Sequence, residues 1–237
     1  MSGHSHWATI KHKKAKEDAK RGKVFTKLIK EITIAAKASG DLNANPRLRD
    51  LVAKAKDVNM PQENITRAIK KGTGELPGVS YEEQRYEGYG PFGIAVIVDA
   101  LTDNKNRTVA ELRHLFSAKG GNLGETGSVN WMFEQLGLIQ AENNGKTEDE
   151  LLETLLDYDI QDIQLEDNLF SIYCDPKSLE SVKKAVEQAG LKIESAKLEM
   201  VAKNNTELPQ DQAEKAYEFL GALEDLDDIQ NVYTNLA

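Results

Sequence analysis

A chain of 237 residues with 40% hydrophobic content carries enough apolar side chains for one large or two to three small domains. It has no apolar run approaching the roughly 18 residues of a membrane span, and the basic N-terminus lacks the apolar core of a secretory signal, so no membrane partner and a cytoplasmic location are expected. The net charge of −9 hides a division: residues 1–71 hold 17 Lys+Arg against 7 Asp+Glu, a net of +10, which leaves −19 on residues 72–237. An acidic protein with one concentrated basic element aims its field at a polyanion.

That element opens the chain. Between Lys11 and Lys30 stand Lys13, Lys14, Lys16, Lys20, Arg21, Lys23 and Lys27, opposed by only Glu17 and Asp18. Val24, Phe25, Leu28, Ile29, Ile32, Ala35 and Ala36 fall on one face of a helix over 24–36, which Ser39-Gly40 stops. Pro46 suits the first turn of a second helix striped by Leu48, Leu51, Val52 and Ala55, and Pro61 opens a third that Gly72 closes. Residues 72–78, rich in Gly and Pro, read as a linker.

Strand patterns follow. Tyr81–Tyr89 reads as an edge strand and Gly93–Leu101 as a buried one. A helix over 108–118 ends at Gly120-Gly121, and Val129, Trp131 and Phe133 alternate as a strand over 128–134. Leu138–Ala141, a helix at 147–157, strands near 160–165 and 168–174, a helix at 176–189 and a strand at 191–201 give β-α-β-β-α-β, the ferredoxin-like order. The tail adds a helix at 210–223 and a strand at 229–233. The expected fold is therefore α+β and multi-domain: a basic helical bundle at 1–78, then two ferredoxin-like α/β domains. The first of these is discontinuous, 79–134 plus 207–237, and the second, 135–206, is inserted into it.

Candidate chemistry is sparse. The glycine-rich segment Gly120–Gly127 follows a helix and precedes a strand, the reverse of a phosphate loop, so it reads as a tight turn with exposed backbone and a candidate partner surface. Removal of Met1 would leave His4 third from a free amine, an arrangement that takes Cu(II) or Ni(II) adventitiously; no functional metal and no cofactor are expected. The lone Cys174 reads as a packed structural thiol. Tyr86, Tyr89 and Phe92 resemble base-stacking aromatics, but the basic-Gly-aromatic signature of RNA-binding sheets is absent and a core-facing strand fits them better. Lys105 and Arg107 sit at the start of the 108–118 helix, where backbone N–H groups favour phosphate. No histidine stands with a serine or cysteine nucleophile in a recognisable pattern, so neither an enzyme nor a small-molecule substrate is expected.

Several segments carry a resemblance. Gly3–Lys14 (GHSHWATIKHKK), Asp18–Lys27 (DAKRGKVFTK), Tyr86–Pro91 (YEGYGP), Ala100–Thr108 (ALTDNKNRT), Gly120–Gly124 (GGNLG) and Gly127–Phe133 (GSVNWMF) resemble the YebC/PmpR family over nearly the whole length. The resemblance implies a helical N-terminal domain with two α/β domains. It also implies a regulator of gene expression: some members are described as probable DNA-binding transcriptional regulators. Others act as translation factors on the ribosome, including relief of stalling at proline-rich stretches, and mitochondrial relatives activate translation. His6 departs from the Lys or Arg usual in the family, and Phe92 from a small residue.

The expected function is thus that of a non-enzymatic nucleic-acid-binding regulator, most directly a ribosome-associated translation factor that relieves stalling. The alternatives are a DNA-binding transcriptional regulator and an acidic protein-interaction adaptor. Expected contacts are Trp7, Lys11, His12, Lys13, Lys14, Lys16, Lys20, Arg21, Lys23, Lys27, Lys105 and Arg107. Ribosomal or transfer RNA is favoured over DNA. The basic stretch is lysine-rich with Arg21 as its only arginine, and lysine tracks phosphates rather than reading base edges.

Overall fold

The computed structural model describes residues 21–237. In chain order the elements are α1 (Arg21–Ala36), α2 (Pro46–Asp57), α3 (Gln62–Gly72), β1 (Glu82–Tyr89), β2 (Ala95–Thr102), α4 (Lys105–Ala118), β3 (Asn122–Leu123), β4 (Phe133–Glu142), α5 (Glu148–Thr154), β5 (Ile160–Glu166), β6 (Leu169–Cys174), α6 (Leu179–Gln188), β7 (Lys192–Ala202), α7 (Gln210–Glu224) and β8 (Ile229–Thr234). Among the described residues this makes seven helices and two antiparallel four-stranded sheets. The chain divides into two compact units. One runs to Asn130 and resumes with Thr206–Ala237; the other is Trp131–Asn205.

In the first unit α1, α2 and α3 bury a shared core of Leu28, Ile32, Leu48, Leu51, Val52 and Ile65. Asn45 ties two of these helices together. Its Oδ1 accepts from Leu48 N at 3.0 Å to cap α2, and its Nδ2 donates to the carbonyls of Ala35 and Ser39, both at 2.8 Å. Gly72 permits the close approach of α3 to α1, since a Cβ there would lie 2.3 Å from Thr33 O. Pro61 stands at the N-cap position of α3 and makes no side-chain capping bond.

The same unit holds the sheet β3-β1-β2-β8, with α4 and α7 on one face. Ile94, Val96, Val98, Leu112, Phe116, Phe219, Leu220 and Val232 form its core, and the Phe116 and Phe219 rings meet edge-to-face at 5.0 Å. This sheet is not ferredoxin-like. The strands of the β1–β2 hairpin are both central, whereas the ferredoxin-like order places one hairpin strand at an edge. Of the strand expected over 128–134 only the last two residues are strand, as the start of β4. Asn130–Met132 is a 3₁₀ turn, Trp131 is 66% exposed, and β4 begins at Phe133. Backbone donors of this segment are committed to the Glu87 carboxylate and cannot serve a ladder.

The second unit carries β4-α5-β5-β6-α6-β7 with sheet order β5-β6-β4-β7, the β-α-β-β-α-β arrangement. Thr147 and Glu150 make a reciprocal capping box at α5. Ile139, Phe170, Ile172, Val182 and Val186 form the core with Cys174, whose fully buried thiol is pushed up to about 11 by burial and by Asp175. Cys174 is accordingly a structural side chain rather than a reactive one.

Candidate nucleic-acid interface

Trp7, Lys11, His12, Lys13, Lys14, Lys16 and Lys20, together with His4, lie outside the described residues; Arg21 begins α1. Of the other expected contacts, Lys23, Lys27, Lys105 and Arg107 each have an internal partner.

Lys23, Lys27 and Lys30 follow one another at i, i+4 and i+7, a single stripe along α1. The stripe faces the end of α7 and the acidic turn after it. Lys23 Nζ reaches Asp225 Oδ1 at 2.8 Å, Lys27 Nζ donates to Glu224 O at 3.1 Å, and Lys30 Nζ donates to Asp227 O at 2.8 Å and Asp228 Oδ1 at 2.6 Å. Lys30 also lies 5.6 Å from the centroid of the Tyr81 ring, within cation–π range.

Asp228 is the hub. Its second oxygen accepts from Arg107 Nη2 at 2.7 Å, Thr108 Oγ1 at 2.8 Å and Thr102 Oγ1 at 3.0 Å. Its side chain is 5% exposed and that of Lys30 is 8% exposed, so this is a buried, multiply bonded pair. Burial opposes ionisation of Asp228. The hydrogen bonds from Lys30, Arg107 and Thr108 outweigh it and bring the carboxyl down to about 2. Arg107 makes a second ion pair with Asp103 at 2.8 Å, and its bonds to Asp228 and Asp103 push the guanidinium further up. Lys105 meets Glu82 at 2.6 Å. The start of α4, expected to offer N–H groups to phosphate, is capped by Asn104, whose Oδ1 accepts from Arg107 N at 3.1 Å. The cleft beside this network, about 720 Å³, is lined by both signs of charge, including Lys23, Asp103, Arg107, Glu111 and Asp225.

The glycine-rich segment also turns inward. Gly127, Val129 and Asn130 donate their backbone N–H groups to the Glu87 carboxylate at 2.8, 2.9 and 2.8 Å. Burial resists the charge on Glu87, and these three donors outweigh it and hold the carboxyl below its ordinary value. The anion that this loop binds is thus one of the protein's own. Of the three aromatics, Tyr86 packs against the core, while Tyr89 and Phe92 are exposed and Phe92 sits at φ 61°, in the left-handed region. Arg85 is bound by both oxygens of Asp99 at 2.7 and 2.9 Å.

Sequence reasoning missed Asp228 and Glu87. The signal for Asp228 was the acidic run Asp225-Leu-Asp-Asp228 at the end of a helix, opposite in sign to the lysine stripe. Glu87 gave none beyond being a carboxylate inside a strand next to glycines. Among the described residues no group of His, Cys, Asp and Glu is arranged to hold a metal ion, and no helix is long and apolar enough to cross a membrane.

The fold is that of an α+β protein whose basic helical bundle is ion-paired to a sheet-and-helix layer. The chain belongs to the TACO1/YebC family: residues 5–75 match the TACO1/YebC protein N-terminal domain, and residues 81–236 match the TACO1/YebC second and third domain. Among its relatives is a probable transcriptional regulatory protein of Desulforapulum autotrophicum, 54% identical over 236 residues, covering 99% of this chain and 96% of that protein. Another of the same description, from Chlorobaculum tepidum, is 54% identical over 238 residues, covering 100% of this chain and 95% of its own. The crystal structure of a conserved hypothetical protein from Aquifex aeolicus is similar with a TM-score of 0.86 at 46% identity, over 98% of this chain and 97% of that one.

Proposed function

We propose that this protein is a non-enzymatic, nucleic-acid-binding regulator of gene expression, and that it acts in the cytoplasm as a ribosome-associated translation factor that relieves stalling. The observation that carries this reading is the charge division: a net of +10 on residues 1–71 against −19 on the remainder. Phosphate neutralisation supplies most of the sequence-independent affinity for nucleic acid, and acidic domains elsewhere suppress indiscriminate adhesion. The names of the relatives support a regulator. Lysine dominance favours irregular ribosomal or transfer RNA, since duplex sequence readout calls for Arg, Asn or Gln at base edges. In this reading the basic arm, Lys11 to Arg21 with Trp7 and His12, enters an RNA-lined cleft, and the α/β domains set its orientation. No cofactor takes part.

The test is crosslinking to RNA in cells together with ribosome profiling of a deletion strain. Crosslinks to ribosomal or transfer RNA and increased pausing at proline-rich codons are expected. A second reading, a DNA-binding transcriptional regulator, is favoured by the relatives' names. A discrete footprint of nanomolar affinity on promoter DNA, without ribosome association or a change in pausing, would place that reading first.

A further inference from the structure

The cations of the helical bundle divide into engaged and unengaged ones; among the engaged, Lys27 and Lys37 donate to the carbonyls of Glu224 and Tyr81, and the charge of Lys54 acts on Glu31. Lys23, Lys30 and Arg47 are ion-paired to Asp225, Asp228 and Glu83, and Arg67 to Glu63 within α3. Arg49 and Lys56 on α2, and Lys70 and Lys71 in the last turn of α3, are exposed and make no side-chain hydrogen bond or ion pair among the described residues. Arg49 and Lys56 are seven residues apart, two turns along one stripe with Ala53 between them. The helix rise of 1.5 Å per residue separates them by about 10.5 Å. That is roughly three steps of a nucleic-acid strand at 3.4 Å per charge.

The difference between the groups decides which of them is available to a polyanion. Drawing Lys30 or Arg107 onto a phosphate would take from the buried Asp228 carboxylate one of its two cationic partners, and drawing Lys23 away would break its ion pair with Asp225. Engaging Arg49, Lys56, Lys70 or Lys71 breaks no hydrogen bond or ion pair among the described residues. The turn Glu224–Asp228 already occupies the α1 stripe, as a phosphate run would.

We propose that Arg49, Lys56, Lys70 and Lys71 are the phosphate-contacting positions of the helical bundle, and that their partner is the sugar-phosphate backbone of a nucleic acid. The α1 stripe instead fastens the bundle to the acidic turn. This rests on the nucleic-acid reading above and extends it to side chains outside the basic arm.

The test is fluorescence anisotropy on the full-length protein with a labelled RNA hairpin and, separately, a DNA duplex of equal length, over a range of salt. Each phosphate contact adds about 0.7–0.9 to the slope of log K against log salt, so Arg49→Ala/Lys56→Ala/Lys70→Ala/Lys71→Ala should lower the slope by roughly 3 with the RNA, the DNA or both. Lys23→Ala/Lys105→Ala, which removes exposed cations that are paired internally, should change it by less than about 0.5. The pair Arg49→Ala/Lys56→Ala alone should give about half the effect of the fourfold change, and it serves if the fourfold variant melts early. An unchanged slope in the fourfold or the pair variant overturns the assignment, as does an equal fall in Lys23→Ala/Lys105→Ala. Failure of the wild type to bind either probe is a different result: it removes the nucleic-acid reading itself and this proposal with it.

Discussion

Replacing Asp228 with Asn tests how the helical bundle is joined to the sheet layer. The substitution keeps the shape and removes the charge. Lys30, 8% exposed, would then retain carbonyl acceptors at Asp227 and Leu101 but lose its carboxylate, and Arg107 would keep only Asp103. Breaking a buried ion pair from one side costs about 3–5 kcal/mol, because the surviving charge stays desolvated without a counter-ion. For a chain of this size each kcal/mol shifts the melting midpoint by about 2–4 °C, so a loss of roughly 6–20 °C is expected by calorimetry. The pH dependence carries a second signature. The folded carboxyl titrates near 2, below its ordinary 3.8. Its contribution is therefore complete above about pH 4 and disappears as pH falls from there through 2. Wild type should lose stability over that window more steeply than Asp228→Asn. Adding Lys30→Met should recover part of the loss, since it removes the stranded cation. A variant that melts within about 1 °C of wild type, with the same acid limb, would refute the reasoning.

Glu87→Gln should cost about 1–3 kcal/mol. One amide oxygen cannot satisfy the N–H groups of Gly127, Val129 and Asn130, and the new NH₂ faces donors; faster amide exchange at these three positions is the check. Truncation at Leu208 should abolish the cooperative melting of the sheet β3-β1-β2-β8, because it removes β8 and the core residues Phe219, Leu220 and Val232, whereas residues 135–206 expressed alone should fold, as two-dimensional NMR would report. Replacing Lys11, Lys13, Lys14 and Lys16 with Ala should lower the salt slope of RNA binding by roughly 3, and an unchanged slope would move the footprint away from the arm.

Local patterns carried much of the secondary structure. The apolar stripe over 24–36, Pro46 at a first turn, and the alternation of short strands and helices after residue 138 correspond to elements because each is a property of neighbouring residues. The failures were long-range. Val129, Trp131 and Phe133 alternate as a strand would, yet Glu87, some forty positions earlier, takes the backbone donors of that segment. Two-residue β3 is too short to have a period. The hairpin pattern of β1 and β2 is visible in sequence, but its central place in the sheet depends on β8, which lies more than a hundred residues away. The site divides in the same way. An excess of lysine is legible as a composition. Which lysines already have a carboxylate is not, because Lys30 and Asp228 are 198 positions apart.

Co-sedimentation with ribosomes at low salt tests the central claim most directly. Wild-type protein should pellet with ribosomes and be released as salt rises, and the Lys11/Lys13/Lys14/Lys16→Ala variant, folded to the same melting temperature, should remain in the supernatant. Wild-type protein that stays in the supernatant at low salt would contradict the account.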